Sequence, residues 1–312
     1  MTALAPAAPA APAPRNLFVR AAALMLASTM CFGAMALTIK IAAHDLSSFE
    51  IAFFRNAFGL LVLVPILLAS GAPLRTRQLP RYLLRSAIGI GSMLCGFWAI
   101  THLPLAQAIS LSYSTPLFVT IAAIIWLGER VRKRRWAAVI AGFIGVLVVV
   151  RPGTSGFSAG SLIALLAAVL AAIVAIQIKQ LSRIDAPDTI VFYTYLFWAP
   201  MSLLAALPVW HWPPGTCWIW LVATGVFGTV AQLLWTRALR LGDVSALQPI
   251  SFMQLPMVAV AGYYLFNEAL DRWTVIGALI IFIANAYIAH RETRLARIHA
   301  TQSPIESAKP GE

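Results

Sequence analysis

Charge is scarce in this chain, and acid scarcest of all. Only 11 % of its 312 residues are Asp, Glu, Lys or Arg, and just 11 are acidic. A soluble chain carries about a quarter charged residues, so a water-soluble domain of this length is excluded. Cysteine is rare too. Cys31, Cys95 and Cys217 are odd in number and lie in or at the ends of apolar runs, with no pairing pattern and no metal-ligand spacing. They read as small lipid- or core-facing residues. The five histidines, His44, His102, His211, His290 and His299, all fall at the ends of apolar runs, in loops or in the tail. There is no HExxH and no P-loop, which excludes direct drive by ATP on this chain. A hydrolase inside a bilayer needs a nucleophile, a base and an orienting group within reach of one another, and no such set is visible. The expectation is a non-enzyme without cofactor or metal.

What the chain has is apolar length. Sixty per cent of its residues are hydrophobic and the mean hydropathy is +0.82. Runs of about 20 apolar residues, the length that a ~30 Å hydrocarbon core demands of a helix, fall near 17–39, 51–69, 83–101, 104–127, 136–150, 159–178, 189–208, 217–236, 244–266 and 273–290. The fold class is therefore all-α and polytopic, with ten transmembrane helices. Residues 1–16 form an Ala/Pro-rich tail, expected to be disordered, and the first run continues too far and has too many successors to be a cleaved signal peptide. The net charge of +12 would suggest nucleic-acid binding in a soluble protein. Here the basic residues sit between apolar runs, so the expected partner is the lipid bilayer and not nucleic acid.

Orientation follows from those basic residues. With the N-terminus cytoplasmic, all but four of the 23 Lys and Arg lie on the cytoplasmic side. The exceptions are Lys40, Arg151 and Arg272 outside and Arg55 within the second span. Both termini, including the basic tail 291–312, are then cytoplasmic, in a bacterial inner membrane.

The chain also says nearly the same thing twice. Ala106 through Pro116 to Glu129 and Trp136 is echoed by Ala246 through Pro256 to Glu268 and Trp273, and Ile39-Lys40 by Ile178-Lys179. A period of about 140 residues is too long for a solenoid and fits the duplicated halves of secondary transporters. The halves are 17–151 and 152–290. Five spans each is an odd number, so the second half enters the membrane the other way up, and the echo becomes an inverted repeat. Glu129 then falls at the cytoplasmic end of span four and Glu268 at the outer end of span nine.

The runs LPLAQAISLSYSTPLFVTIAAIIWLGERVRKRRW and VSALQPISFMQLPMVAVAGYYLFNEALDRW, in ten spans of two five-helix halves, resemble the EamA family of the drug/metabolite transporter superfamily. The second copy departs from the pattern at Asn267-Glu268-Ala269, so no arginine role carries over there. The resemblance implies an inner-membrane carrier of a small organic solute, many relatives being exporters. It also implies a cavity lined mainly by spans 1, 3, 4, 6, 8 and 9, with 5 and 10 packed outside. The Leu-Pro-Leu-Ala-Gln-Ala-Ile stretch looks closest to branches that include riboflavin and S-adenosylmethionine carriers. A homodimer is left open.

Candidate site residues follow from polarity at membrane depth. Pro116 and Pro256 each remove an intrahelical hydrogen bond and free a carbonyl, which serves either packing or hinge-like bending. Gln107, Ser110 and Ser114 share one face of span four, with Tyr113 beside them. Gln248, Ser251 and Gln254 form the equivalent stripe on span nine. Such stripes serve either as helix–helix glue or as solute contacts, with Tyr113 and Gln254 leaning towards solute. Trp98, and Gln232 with Trp235, offer aromatic surface and an amide, although tryptophans near span ends also act as interfacial anchors. Trp210, Trp212, Trp218 and Trp220 read as such anchors. Arg55, the one basic residue read as embedded in a span, either snorkels and pairs with Glu50 or Asp45 or forms an outer gate that attracts an anion. Glu129 and Glu268 are placed with the gating residues. No Asp or Glu lies deep in any span, so there is no midplane proton relay, and the reading favours facilitated diffusion, exchange or coupling through the helix-end glutamates. A channel is the competing class, but no filter-like loop or ring-forming charge is visible. A structural or sensory membrane protein is the other.

Overall fold

The computed structural model describes residues 15–70, 76–127, 133–154, 157–181, 184–185, 187–241, 247 and 250–306. Among the described residues every regular element is a helix, with no strand. The helices are α1 (Arg15–Ala42), α2 (Ser48–Ser70), α3 (Leu79–His102), α4 (Leu105–Ser112), α5 (Thr115–Leu127), α6 (Lys133–Val150), α7 (Ala159–Leu181), α8 (Pro187–Ala206), α9 (Cys217–Leu241), α10 (Gln254–Phe266) and α11 (Arg272–Glu306). Seven stretches are long and apolar enough to cross a membrane, one of them formed by α4 running into α5. Shorter apolar helices at Trp136–Val150, Gln254–Phe266 and Arg272–Ile288 occupy the other three expected places. The molecule is a polytopic membrane protein. Leu61, Leu68, Ile125, Leu204 and Ile219 are each exposed, a surface that water would not tolerate and that lipid requires.

The helix ends are fixed by local chemistry. Ser47 and Glu50 form a capping box at α2: the Ser47 N–H donates to Glu50 Oε2 at 2.9 Å and Glu50 N–H to Ser47 Oγ at 3.4 Å. Glu50 also accepts the His211 N–H, which ties the start of α2 to the loop before α9. Asp271 caps α11 by accepting Thr274 N–H at 3.0 Å. It also pairs with Arg151 at 2.9 Å, joining the end of α6 to the start of α11.

The packing repeats under a two-fold operation. α1 lies along α9 as α7 lies along α3; α10 meets α1 as α4 and α5 meet α7; α2 meets α9 as α8 meets α3. A serine hydroxyl bridges each of the paired seams, with donor and acceptor helices exchanged: Ser28 of α1 donates to Ala231 O of α9 and Ser92 of α3 to Ala167 O of α7, both at 2.8 Å. α6 and α11 pack on each other so closely that a β-carbon on Gly145 would lie 2.8 Å from Gly277 O. Small residues permit this backbone approach where lipid offers no hydrophobic drive for association.

Trp212 is 75 % exposed, but Trp210 and Trp218 pack on Phe54 with ring centroids 5.7 and 5.2 Å away. They belong to an apolar cluster with Ile51 and Leu221.

Candidate functional site

The two proline-bearing runs are broken, which corrects the expectation of one bent helix in each. In the first half α4 ends at Ser112 and α5 begins at Thr115, so Pro116 stands in the first turn of a new helix. There its missing N–H has no partner to lose. In the second half the break falls at Phe252–Met253 and Pro256 is in the first turn of α10. Each break redirects one hydrogen bond. In an unbroken helix Leu117 N–H would reach Tyr113 O and Leu255 N–H would reach Ser251 O. Instead Leu117 donates to Ser114 O and Leu255 to Phe252 O, both at 3.0 Å.

The two released carbonyls, Tyr113 O and Ser251 O, are answered by side chains. Asn285 of α11 donates to Tyr113 O at 2.8 Å. The Tyr113 hydroxyl donates to Ser251 O at 2.5 Å and lies 3.3 Å from Gln254 Oε1. Its ring stacks on Phe252 at 4.1 Å between centroids, and Phe252 packs on Phe282 at 4.5 Å. One tyrosine thus sits at the break in its own half and satisfies the break in the other. Non-helical backbone at membrane depth is tolerated only where it is buried in protein or lines a cavity, and broken helices of this kind form the solute sites of many carriers.

The remaining expected residues distribute as follows. Ser110 and Ser114 are buried and donate to their own helix, to Ala106 O and Leu111 O at 2.6 Å. Gln107 donates to Ser161 of α7 at 3.1 Å. Trp98 lies away from the breaks, stacked on His102 at 4.0 Å near the start of α7. On α9, Gln232 is half-buried and Trp235 is exposed. Gln248 and Glu129 lie outside the described residues. A cavity of about 470 Å³ between α6 and α11, lined by Ala137, Ala138, Ala141, Ile280, Ile283, Ala284 and Tyr287, contains none of the expected residues. Its near-absence of polar lining gives it no chemistry for holding a polar solute.

At the Lys40 end of α1, Glu268 forms a knot. Its carboxylate pairs with Lys40 of α1 and accepts the Leu105 N–H at 2.7 Å. The Lys40 ammonium also donates to Leu103 O at 2.7 Å and lies 5.5 Å from the centre of the Phe266 ring. Glu268 therefore caps α4, supplying the acceptor that its first N–H lacks, while Lys40 neutralises it. Both side chains are largely covered, at 13 % and 18 % exposure. The knot unites α1 and α4 with the end of α10, the same helices that meet below it through Ala36, Ile109 and Val258.

The EamA-like transporter family profile matches residues 19–151 and 158–289, one copy on each half. The chain belongs to the EamA-like transporter family. It is 33 % identical over 256 residues to a riboflavin transporter of Vibrio cholerae, covering 81 % of this chain and 86 % of that one. It is 30 % identical over 265 residues to an S-adenosylmethionine uptake transporter of Rickettsia felis, covering 84 % and 90 %. The pseudopaline exporter CntI of Pseudomonas aeruginosa is 30 % identical over 266 residues, covering 84 % and 93 %. A solved crystal structure matches with a TM-score of 0.63 at 21 % identity, over 88 % of this chain and 98 % of that one, a likeness in fold. An EamA-family member of this kind is a membrane-embedded transporter of a small solute.

Sequence reasoning missed four participants. Asn285 was signalled as an amide inside an apolar run, and Lys40 by its echo in Lys179. Phe252 and Phe282 carried no signal distinct from ordinary core residues.

Proposed function

We propose that the chain is a secondary carrier that moves a small organic metabolite across the bacterial cytoplasmic membrane by alternating access. The reading favours export of an amino acid-like solute. It makes the protein a carrier and not an enzyme. The observation that carries this is the crossing of the two broken helices, where Tyr113 of one half holds Ser251 O and Gln254 of the other. A solute that takes over the Tyr113 hydroxyl or the Gln254 amide at this point uncouples the halves from each other. Rocking of one half against the other then becomes available at the cost of contacts the solute replaces.

Tyr113, Gln254 and Ser251 are the first solute contacts in this account, with Ser110, Ser114, Gln107 and Gln248 behind them and Trp98, Gln232 and Trp235 as outlying aromatic and amide surface. Pro116 and Pro256 set the hinges. With both termini cytoplasmic, as the Lys and Arg distribution favours, the Lys40–Glu268 knot closes the outer side and the arrangement described is the outward-closed one. Glu129 takes a gating role on the cytoplasmic side, and Arg55 one on the outer side. A second reading, import of a riboflavin- or S-adenosylmethionine-like solute, draws on the names of the two relatives above. Purified protein in liposomes loaded with S-adenosylmethionine, riboflavin or methionine separates these readings by which internal solute accelerates uptake of its labelled form. A channel or a structural protein gives no such acceleration.

A further inference from the structure

Among the described residues two basic side chains are buried in the membrane-spanning helices, not one. Arg55 of α2 is 8 % exposed and Arg85 of α3 is 5 % exposed. No ion pair joins either of them to a carboxylate among the described residues, and the carboxylates with described side chains are engaged elsewhere. Asp45 meets His44, Glu50 holds Ser47 and His211, Asp185 accepts from Thr76 and Tyr82, Glu268 holds Lys40, and Asp271 holds Arg151. The expected pairing of Arg55 with Glu50 or Asp45 does not form. A buried cation without a counter-charge is expensive in a bilayer and marks a functional site by default.

The two arginines differ in access. Arg85 donates to Thr194, and its Nε is sealed without a partner. Arg55 donates from Nη1 to Asn56 Oδ1 at 2.9 Å and lies 5.1 Å from the centre of the Tyr195 ring. Asn56 is itself held by its donation to Ser202 Oγ at 3.1 Å, so its oxygen stays turned to Arg55. That leaves Nε and Nη2, the edge of the guanidinium that presents two parallel N–H donors to a carboxylate. Neither nitrogen is sealed. On α9, Gly228 lets this edge approach the helix: a β-carbon there would stand 3.1 Å from Nε and 3.5 Å from Nη2, and 2.9 Å from Met35 Sδ of α1 beside them. Amide oxygen and aromatic ring orient the fork but supply no net negative charge.

We propose that the free edge of Arg55, beside Gly228 between α2 and α9, is an anion subsite, and that the solute this carrier serves bears a carboxylate. The inference rests on the carrier reading and narrows it. S-adenosylmethionine has an α-carboxylate and riboflavin has none, so these two of the solutes named for its relatives fall on opposite sides.

The probe is acetate, titrated against chloride at matched ionic strength, with inorganic phosphate as a second arm and the melting temperature of the full-length purified protein as readout. Acetate at ten times its dissociation constant raises the melting temperature by about 3 °C. The shift disappears in Arg55→Met and in Gly228→Ala, which keeps the guanidinium charge but crowds its Nε edge. Without acetate, Arg55→Met melts no lower than the wild type, because it removes an uncompensated charge. The subsite is overturned by an absent acetate shift in the wild type, by equal shifts in both variants, by stabilisation with phosphate alone, or by an Arg55→Met protein that melts several degrees lower. Failure of the carrier reading looks different: acetate stabilises, yet no solute shows counterflow. Counterflow of riboflavin at wild-type rate in Arg55→Met refutes the subsite and leaves the carrier intact.

Discussion

Removing the Glu268 carboxylate is the perturbation with the most to say about gating. Glu268→Gln strips the counter-charge from Lys40 and weakens the acceptor of the Leu105 N–H, leaving Lys40 with Leu103 O and the Phe266 ring. Two opposite charges about 4 Å apart attract by about 4 kcal/mol at an effective dielectric constant of 20. Both groups are mostly covered, so screening by water is limited, but desolvation takes back part of this gain. A net differential of about 2 kcal/mol between the closed and open arrangements is a reasonable working value, equivalent to a roughly 30-fold shift in their ratio. The assay is the labelling rate of a single cysteine at Gln254, in a background without Cys31, Cys95 and Cys217, by a membrane-impermeant maleimide added from outside. Glu268→Gln should raise that rate by about an order of magnitude or more, and Lys40→Met should do the same. Combining Lys40→Glu with Glu268→Lys should restore much of the closure. Gly262→Ala should act in the same direction, since a β-carbon there would stand 2.9 Å from Glu268 Oε2. If labelling stays slow in every single variant while melting temperature falls, the knot only holds the fold together and the gating argument fails.

Other consequences are simpler to state. Tyr113→Phe keeps the stacking on Phe252 but removes the donation to Ser251 O, so thermal unfolding should show a loss of about 1–3 kcal/mol together with impaired transport. Asn285→Leu leaves Tyr113 O without its donor, and a comparable loss of stability is expected, measured by denaturation in detergent. Ser110→Ala removes a hydroxyl that only bonds its own helix and should change melting by less than about 0.5 kcal/mol. A Ser110→Ala variant that melts normally yet loses transport would move this serine from packing to solute contact.

Much of the architecture was legible before any coordinate. Apolar length located ten spans because the hydrocarbon thickness fixes helix length, and the odd span count per half forced the inversion that the α1–α9 and α3–α7 packing repeats. What the sequence could not convey was partnership. A proline at a kink and a proline just inside a new helix look alike in one dimension, so the breaks at Tyr113–Ser114 and Phe252–Met253 became visible only through Leu117 and Leu255, which donate one residue short. Glu268 read as a helix-end glutamate. Its ion pair with Lys40 spans 228 residues of chain, and no periodicity reports such a distance. Arg85 follows Arg75, Arg77 and Arg81 in the sequence and reads with them as one of the cytoplasmic basic residues, yet it is buried against Thr194. Tyr113 and Gln254 were singled out for their depth and polarity, and they stand in contact. Solute contact at this pair is what transport measurements test.

The most direct of these is counterflow by the reconstituted protein. The account predicts that the carried solute, placed inside the liposome, accelerates entry of its labelled form several-fold, and that Tyr113→Ala and Gln254→Ala abolish this while still inserting in the membrane. Downhill flux indifferent to internal solute, or unchanged counterflow in both variants, would contradict it.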